Sequence, residues 1–226
     1  MNRESCAPWR ALLAFGLLAV TACAQMPAGP TRAEAGDGRA GKSDAPPAAA
    51  IAQGRSRNPE IVDVSGRVAG LVKAAEDGDA VKVKRLLDAG VDPNAMNADH
   101  RTALIGAAES GKEEVARLML DHGAKPDVQL PDTGWAPLHI AAFLGHVEVA
   151  RVLLDRGANI NIKNKYGETA LLQAAFRGQD EVVKLLLARG ADVMPRNDKG
   201  FSALKAAKYK RYTGIVAALE KAGARK

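Results

Sequence analysis

Ala136-Pro137-Leu138-His139-Ile140-Ala141-Ala142-Phe143-Leu144-Gly145-His146, continued by Leu153-Leu154-Asp155-Arg156-Gly157-Ala158-Asn159-Ile160-Asn161, decides the fold. Its parts return along the chain at a fixed interval. Leu71, Leu104, Leu138, Leu171 and Leu204 are separated by 33, 34, 33 and 33 residues, and Gly90, Gly123, Gly157, Gly190 and Gly223 keep the same spacings. A period of this length marks a stack of supersecondary units. Each unit reads as helix, turn, helix and extended finger. Thr102, Thr169 and Ser202 stand where a side-chain oxygen caps the first helix, and Pro137 stands at a first helical position. Alanine pairs such as Ala107-Ala108 and Ala141-Ala142 permit close helix packing. Gly78, Gly111, Gly145 and Gly178 make the turn. The second helix carries an apolar stripe, as in Val182, Val183, Leu185, Leu186 and Leu187, and ends on a glycine that accepts positive φ.

These segments resemble the ankyrin repeat. Ala136 to Ala142 nearly matches that family's T-P-L-H-x-A-A, and Gly145-His146 and Leu153 to Asn161 match its later segments. The resemblance implies an all-α solenoid of five helix-turn-helix units with finger loops. The units fall at about 64–96, 97–130, 131–163, 164–196 and 197–226, within a domain over 61–226. Two departures stand out. The histidine position of the first motif holds Ile105, Leu172 and Lys205 elsewhere, and one extra residue lies between Gly123 and Gly134. The end units are polar where inner units are apolar. Lys82 and Arg85 replace the Val115/Leu118, Val149/Val152 and Val182/Leu185 pairs; Glu220 replaces Leu120, Leu154 and Leu187; Lys208 replaces an alanine. Exposed end units need such faces, so the array reads as five units with both caps present.

The N-terminus reads as an address. Arg3 and Arg10 precede the apolar run Ala11–Val20, and small residues follow at Ala22, Cys23 and Ala24, the order of a secretory signal peptide over 1–22. The run is too short to span a membrane, which takes about 20 residues. Val20-Thr21-Ala22-Cys23 resembles a bacterial lipobox. The resemblance implies cleavage before Cys23, acylation of its thiol and a stable lipid anchor, each buried CH₂ adding roughly 0.8 kcal/mol. Ala24 rather than Asp after the cysteine implies outer-membrane sorting. An ordinary signal cut nearby would leave Cys23 a bystander. Residues 23–60 hold the lipidated cysteine and a disordered linker rich in Ala, Gly, Pro and Ser. As a flexible coil it spans about 30–35 Å.

Within this tether, Gly36-Asp37-Gly38-Arg39-Ala40-Gly41-Lys42-Ser43 satisfies the P-loop pattern. A working P-loop needs a strand before it and a helix after it, so that loop amides and a helix N-terminus hold the phosphates. Met26-Pro27-Ala28-Gly29-Pro30 cannot be a buried strand, and Pro46-Pro47 would break the helix soon after it began. The match reads as chance. Were it real, Lys42→Ala would abolish nucleotide binding.

Chemistry is otherwise sparse. With two cysteines in 226 residues there is no disulfide scaffold. His139 and His146 sit at repeat positions where the resemblance makes them structural, and His100 stands where the finger usually has glycine. Neither these nor His122 fall in a zinc spacing. Asp121 and Asp155 near helix ends, and Asp127 and Asp192 in fingers, read as a solvated face. No constellation supports catalysis, a cofactor or a metal. Charge is uneven: residues 61–194 hold 16 Lys+Arg against 19 Asp+Glu, and residues 195–226 hold nine against two.

The resemblance implies binding through finger tips and inner helices, which form a concave face. Its contact positions fall on Ala98, Asp99, Arg101, Glu109 and Ser110 in the second unit, and on Asp132, Thr133, Trp135, Phe143 and Leu144 in the third. In the fourth they are Lys165, Tyr166, Glu168, Phe176 and Arg177, and in the fifth Asp198, Lys199, Phe201, Tyr209 and Lys210. Seven aromatics follow the signal segment, and six are on these positions; Tyr212 is the seventh. Aromatics are enriched at binding hot spots. The expected site is therefore Trp135, Phe143, Leu144, Tyr166, Phe176, Arg177, Phe201, Tyr209 and Lys210, an aromatic strip flanked by the cations Lys165, Arg177, Lys199 and Lys210 and suited to an acidic protein surface. Local packing of the rings, shielding the fingers, is the competing reading. The expectation is a monomeric lipoprotein of the periplasm that recognises a protein partner and binds no nucleic acid. The alternatives are an immunity or inhibitor protein that neutralises an envelope-targeted enzyme or toxin, and anionic-surface binding through Lys205, Lys208, Lys210 and Arg211.

Overall fold

A computed structural model describes residues 64–225. The signal segment, Cys23, the tether and the P-loop-like string lie outside the described residues. Ten helices follow in five pairs: α1 (Val64–Asp77) with α2 (Ala80–Asp88), α3 (Ala103–Ser110) with α4 (Glu113–Asp121), α5 (Pro137–Leu144) with α6 (Val147–Asp155), α7 (Ala170–Arg177) with α8 (Asp180–Ala188), and α9 (Ala203–Lys210) with α10 (Thr213–Lys221). Among the described residues there is no strand, and no helix is long and apolar enough to cross a membrane.

Odd-numbered helices pack on one another in series, and so do even-numbered ones, giving an inner and an outer layer. The repeated leucines Leu71, Leu104, Leu138, Leu171 and Leu204 are all buried, with Met119, Leu153, Leu186 and Leu219 opposite them on the outer helices. Ala107, Ala108, Ala141, Ala142, Ala174 and Ala175 have no exposed surface, which lets neighbouring inner helices approach closely. Such a stack is held by contacts within units and between nearest neighbours.

Local sequence sets the helix ends. Thr102, Thr169 and Ser202 accept from the backbone N–H of Ile105, Leu172 and Lys205 at 3.4, 3.4 and 3.2 Å. The outer helices break at glycines with φ near +80° to +92°, as at Gly90 and Gly223. The extra residue lies at the tip of the third finger. The loop-closing backbone bond spans Asn97–Arg101, Asn164–Glu168 and Asn197–Phe201 in the other units, but Leu130–Trp135 here. At the ends, Lys82 and Arg85 are exposed. Lys208 and Glu220, the two polar replacements of the last unit, pair with each other at 2.7 Å.

Candidate functional site

The ends of three inner helices place aromatic rings in register. Phe143, Phe176 and Tyr209 occupy the same position of α5, α7 and α9, and Leu144, Arg177 and Lys210 follow them. The cation of each unit reaches back over the ring of the unit before. The Arg177 guanidinium lies 4.4 Å from the Phe143 centroid, and Lys210 Nζ lies 4.6 Å from that of Phe176. Finger residues close the sides. Trp135 meets Phe143 edge-on at 5.2 Å, and Phe201 meets Tyr209 edge-on at 6.3 Å. Lys205 Nζ sits 4.5 Å over Phe201. Cation–ring and edge-to-face contacts contribute about 0.5–1.5 kcal/mol each. Together they hold the rings in place before anything binds, which lowers the ordering cost of association.

The rings are not submerged by this packing. Phe176 keeps 36% of its surface exposed and Tyr209 70%. Trp135, Phe143, Leu144, Tyr166 and Phe201 are half-buried, and Arg177 and Lys210 are exposed. Trp135 and Leu144 also pack on the core.

Backbone bonds fix the fingers beneath. Lys165 N–H donates to the Thr133 carbonyl at 3.1 Å, and Asp198 N–H to the Tyr166 carbonyl at 3.0 Å, joining the fingers of units three, four and five. Asn164 Oδ1 accepts from the Tyr166 and Glu168 amides, both at 2.9 Å, and Asn197 Oδ1 does the same for Lys199 and Phe201. Gln179 Nε2 donates to the Phe143 carbonyl at 3.1 Å and so ties α5 to the next unit.

Several expected contact positions turn inward instead. Arg101 and Glu109 form a buried ion pair, each only 8% exposed, and Glu76 joins at 3.3 Å. Glu168 accepts from Gln173, Asn164 and Asn197 and organises the fourth finger. Arg177 and Lys210 cover rings rather than flanking the strip; Lys165 and Lys199 remain exposed beside it. Tyr212 is half-buried against the core and roofs Gly178.

The acidic series is likewise more than a solvated face. Asp121 pairs with Arg156, Asp155 pairs with Arg189 at 2.7 Å, and Asp127 accepts from the Asn159 amide at 3.0 Å. His139 and His146 are structural. His139 Nδ1 accepts from the Ala136 amide at 3.1 Å and its Nε2–H donates to the Glu168 carbonyl at 2.9 Å. Burial pushes its pKa down to about 4. Lys205 is not among the expected site residues; its contact with Phe201 runs from α9 back to the finger before the helix cap, which helical spacing does not show. Among the described residues no three His, Cys, Asp or Glu side chains cluster as a metal site.

A family profile described as ankyrin repeats (3 copies) matches residues 71–164 and 157–226. Among curated proteins, the chain is similar to cyclin-dependent kinase 4 inhibitor B of Homo sapiens, 35% identical over 113 residues, which is 50% of this chain and 81% of that protein. The Rattus norvegicus protein of the same name is 44% identical over 77 residues, 34% of this chain and 58% of that protein. The inactive serine/threonine-protein kinase TEX14 of Bos taurus is 39% identical over 71 residues, 31% of this chain and 5% of that protein.

Proposed function

This chain belongs to the ankyrin-repeat family, and from that premise we propose a membrane-anchored periplasmic module that binds a partner protein through the concave face of units three to five. Ankyrin repeats imply protein–protein interaction. The observation that carries the assignment is the strip itself: rings from three successive units, the first two each covered by a cation from the next unit, with Phe176 and Tyr209 open to solvent. Lys165, Lys199 and the basic last unit favour an acidic surface on the partner. The strip calls for recognition rather than catalysis, with no cofactor and no metal. The lipobox-like Val20–Cys23 and the signal-like segment before it support a lipid anchor at Cys23, and Ala24 supports the outer membrane. Export argues against nucleic acid as the partner.

A second reading is an inhibitor of an envelope-targeted enzyme or toxin. The similarity to proteins named as inhibitors of a kinase favours it over a passive scaffold. Capture from envelope extract on the full-length chain tests both. A Trp135→Ala/Phe143→Ala/Phe176→Ala variant, checked for helicity by circular dichroism, runs beside it. We expect a protein retained by the native chain alone. Equal retention by both chains would make the strip structural. Loss of an activity of the captured protein would select the inhibitor reading.

A further inference from the structure

The C-terminal end of the stack carries a groove that shares only Lys205 with the strip. Arg196, Ser202, Leu204, Lys205, Lys208 and Arg225 enclose a concavity of about 270 Å³. In the unit before, the matching face is covered: Leu172 and Ala175 of α7 lie under the last unit, 4% and 0% exposed. One period later these positions are Lys205 and Lys208, both exposed. Among the described residues no further helix lies on them. The positions that carry the next inner helix in the unit before are thus open here. The floor of the groove is the nearly buried Leu204 and its rim is cationic.

Three separate segments supply that rim: the finger gives Arg196, α9 gives Lys205 and Lys208, and the C-terminal segment gives Arg225. Glu220 partners Lys208 at 2.7 Å. An end cap needs only to be polar to stay soluble, and mixed charges serve that purpose. Four cations around one concavity, in a segment with nine Lys+Arg against two Asp+Glu, exceed it. Like charges gathered this way repel one another and are relieved by an anionic occupant.

We propose that this groove seats an acidic helix of a partner protein, in the place a sixth inner helix would occupy. Lys205 and Lys208 are three residues apart and share one face of α9. A helix laid along them presents Glu or Asp at i, i+3 and i+4 to the cationic rim, while alanines between meet Leu204. The end face meets the concave strip at Lys205, whose ammonium also covers Phe201; Arg196, Lys208 and Arg225 belong to the end face alone.

Fluorescence anisotropy with a labelled helical peptide tests this, using Glu at i, i+3 and i+4 around central alanines and the full-length chain as receptor. Saturable binding is expected, weakening steeply with salt. Arg196→Gln/Arg225→Gln, both at exposed positions outside the strip, should raise Kd about tenfold or more. Trp135→Ala/Phe143→Ala should leave Kd unchanged. Four results would overturn the proposal: no binding; equal binding by the Arg196→Gln/Arg225→Gln chain; equal binding of a proline-interrupted peptide with the same charge; or binding to anionic phospholipid vesicles without binding to the peptide.

Discussion

At Gly178 two constraints fall on one residue. Its φ is +77°, and a Cβ there would stand 2.8 Å from the ring of Tyr212 in the next unit. Gly190 has a similar φ of +80° with nothing within 4 Å. Gly190→Ala therefore meets only the left-handed backbone penalty, about 1 kcal/mol. Gly178→Ala meets that and a collision with a rigid ring, about 1–3 kcal/mol more. Urea unfolding of the two variants should separate them in that order, and equal losses would show that Tyr212 moves aside freely. The turn glycines were legible as turns. Their roofs were not, because the roofing residue changes type from Lys112 to His146, Gln179 and Tyr212 and shares only its place in the next unit. Arg211 closes the series in reverse. It sits at φ +61° where earlier units have glycine, and among the described residues no further unit follows to roof it.

Individual helices start by one of two devices. α3, α7 and α9 begin at a hydroxyl cap and lack the motif histidine. α5 begins at Ala136, which has no hydroxyl; there the His139 ring accepts from the Ala136 amide while the His139 amide bonds the Ala136 carbonyl at 3.0 Å. The sequence shows both departures separately. That one histidine also bonds the next finger through the Glu168 carbonyl depends on a contact 29 residues away, which no local pattern carries.

The exchange has a consequence for pH. Burial holds His139 neutral, with its pKa pushed down from 6.5 to about 4. Below about pH 6.5 the unfolded chain takes up a proton that the native chain refuses. The stability present above that pH is lost as pH falls toward 4, by about 3 kcal/mol. Burial shifts His146 in the same direction, adding to the slope. Stability measured from pH 7 to 4 should fall more steeply for the native chain than for His139→Gln. Parallel curves would mean that His139 takes its proton without unfolding.

Across the whole molecule, interactions run between units as parallel ladders. Outer-helix ends pair Asp88 with His122 at 3.6 Å, Asp121 with Arg156, and Asp155 with Arg189; Ala188 and Ala222 then end the series. Asn94, Asp127 and Asn161 accept amides of Lys125, Asn159 and Asp192 in the following unit. Exposed pairs of this kind contribute little singly, about 0–1 kcal/mol. Their regular placement fixes the register between units, and that register aligns the rings of the strip. The fold was legible because its period is written directly in Leu71 to Leu204. The site was half legible: the aromatic positions followed from the period, whereas Arg177 over Phe143 and Lys210 over Phe176 required the offset between units, one period plus one residue.

Binding on the concave face should slow hydrogen exchange in residues 131–135, 164–168 and 197–201 and at the ends of α5, α7 and α9. The measurement compares the full-length chain alone with the chain carrying its captured partner. Protection confined to those segments, with α4, α6 and α8 unchanged, is the expected result. Protection on the outer helices or in the first unit, with the three fingers unaffected, would contradict the assignment of the strip as the binding surface.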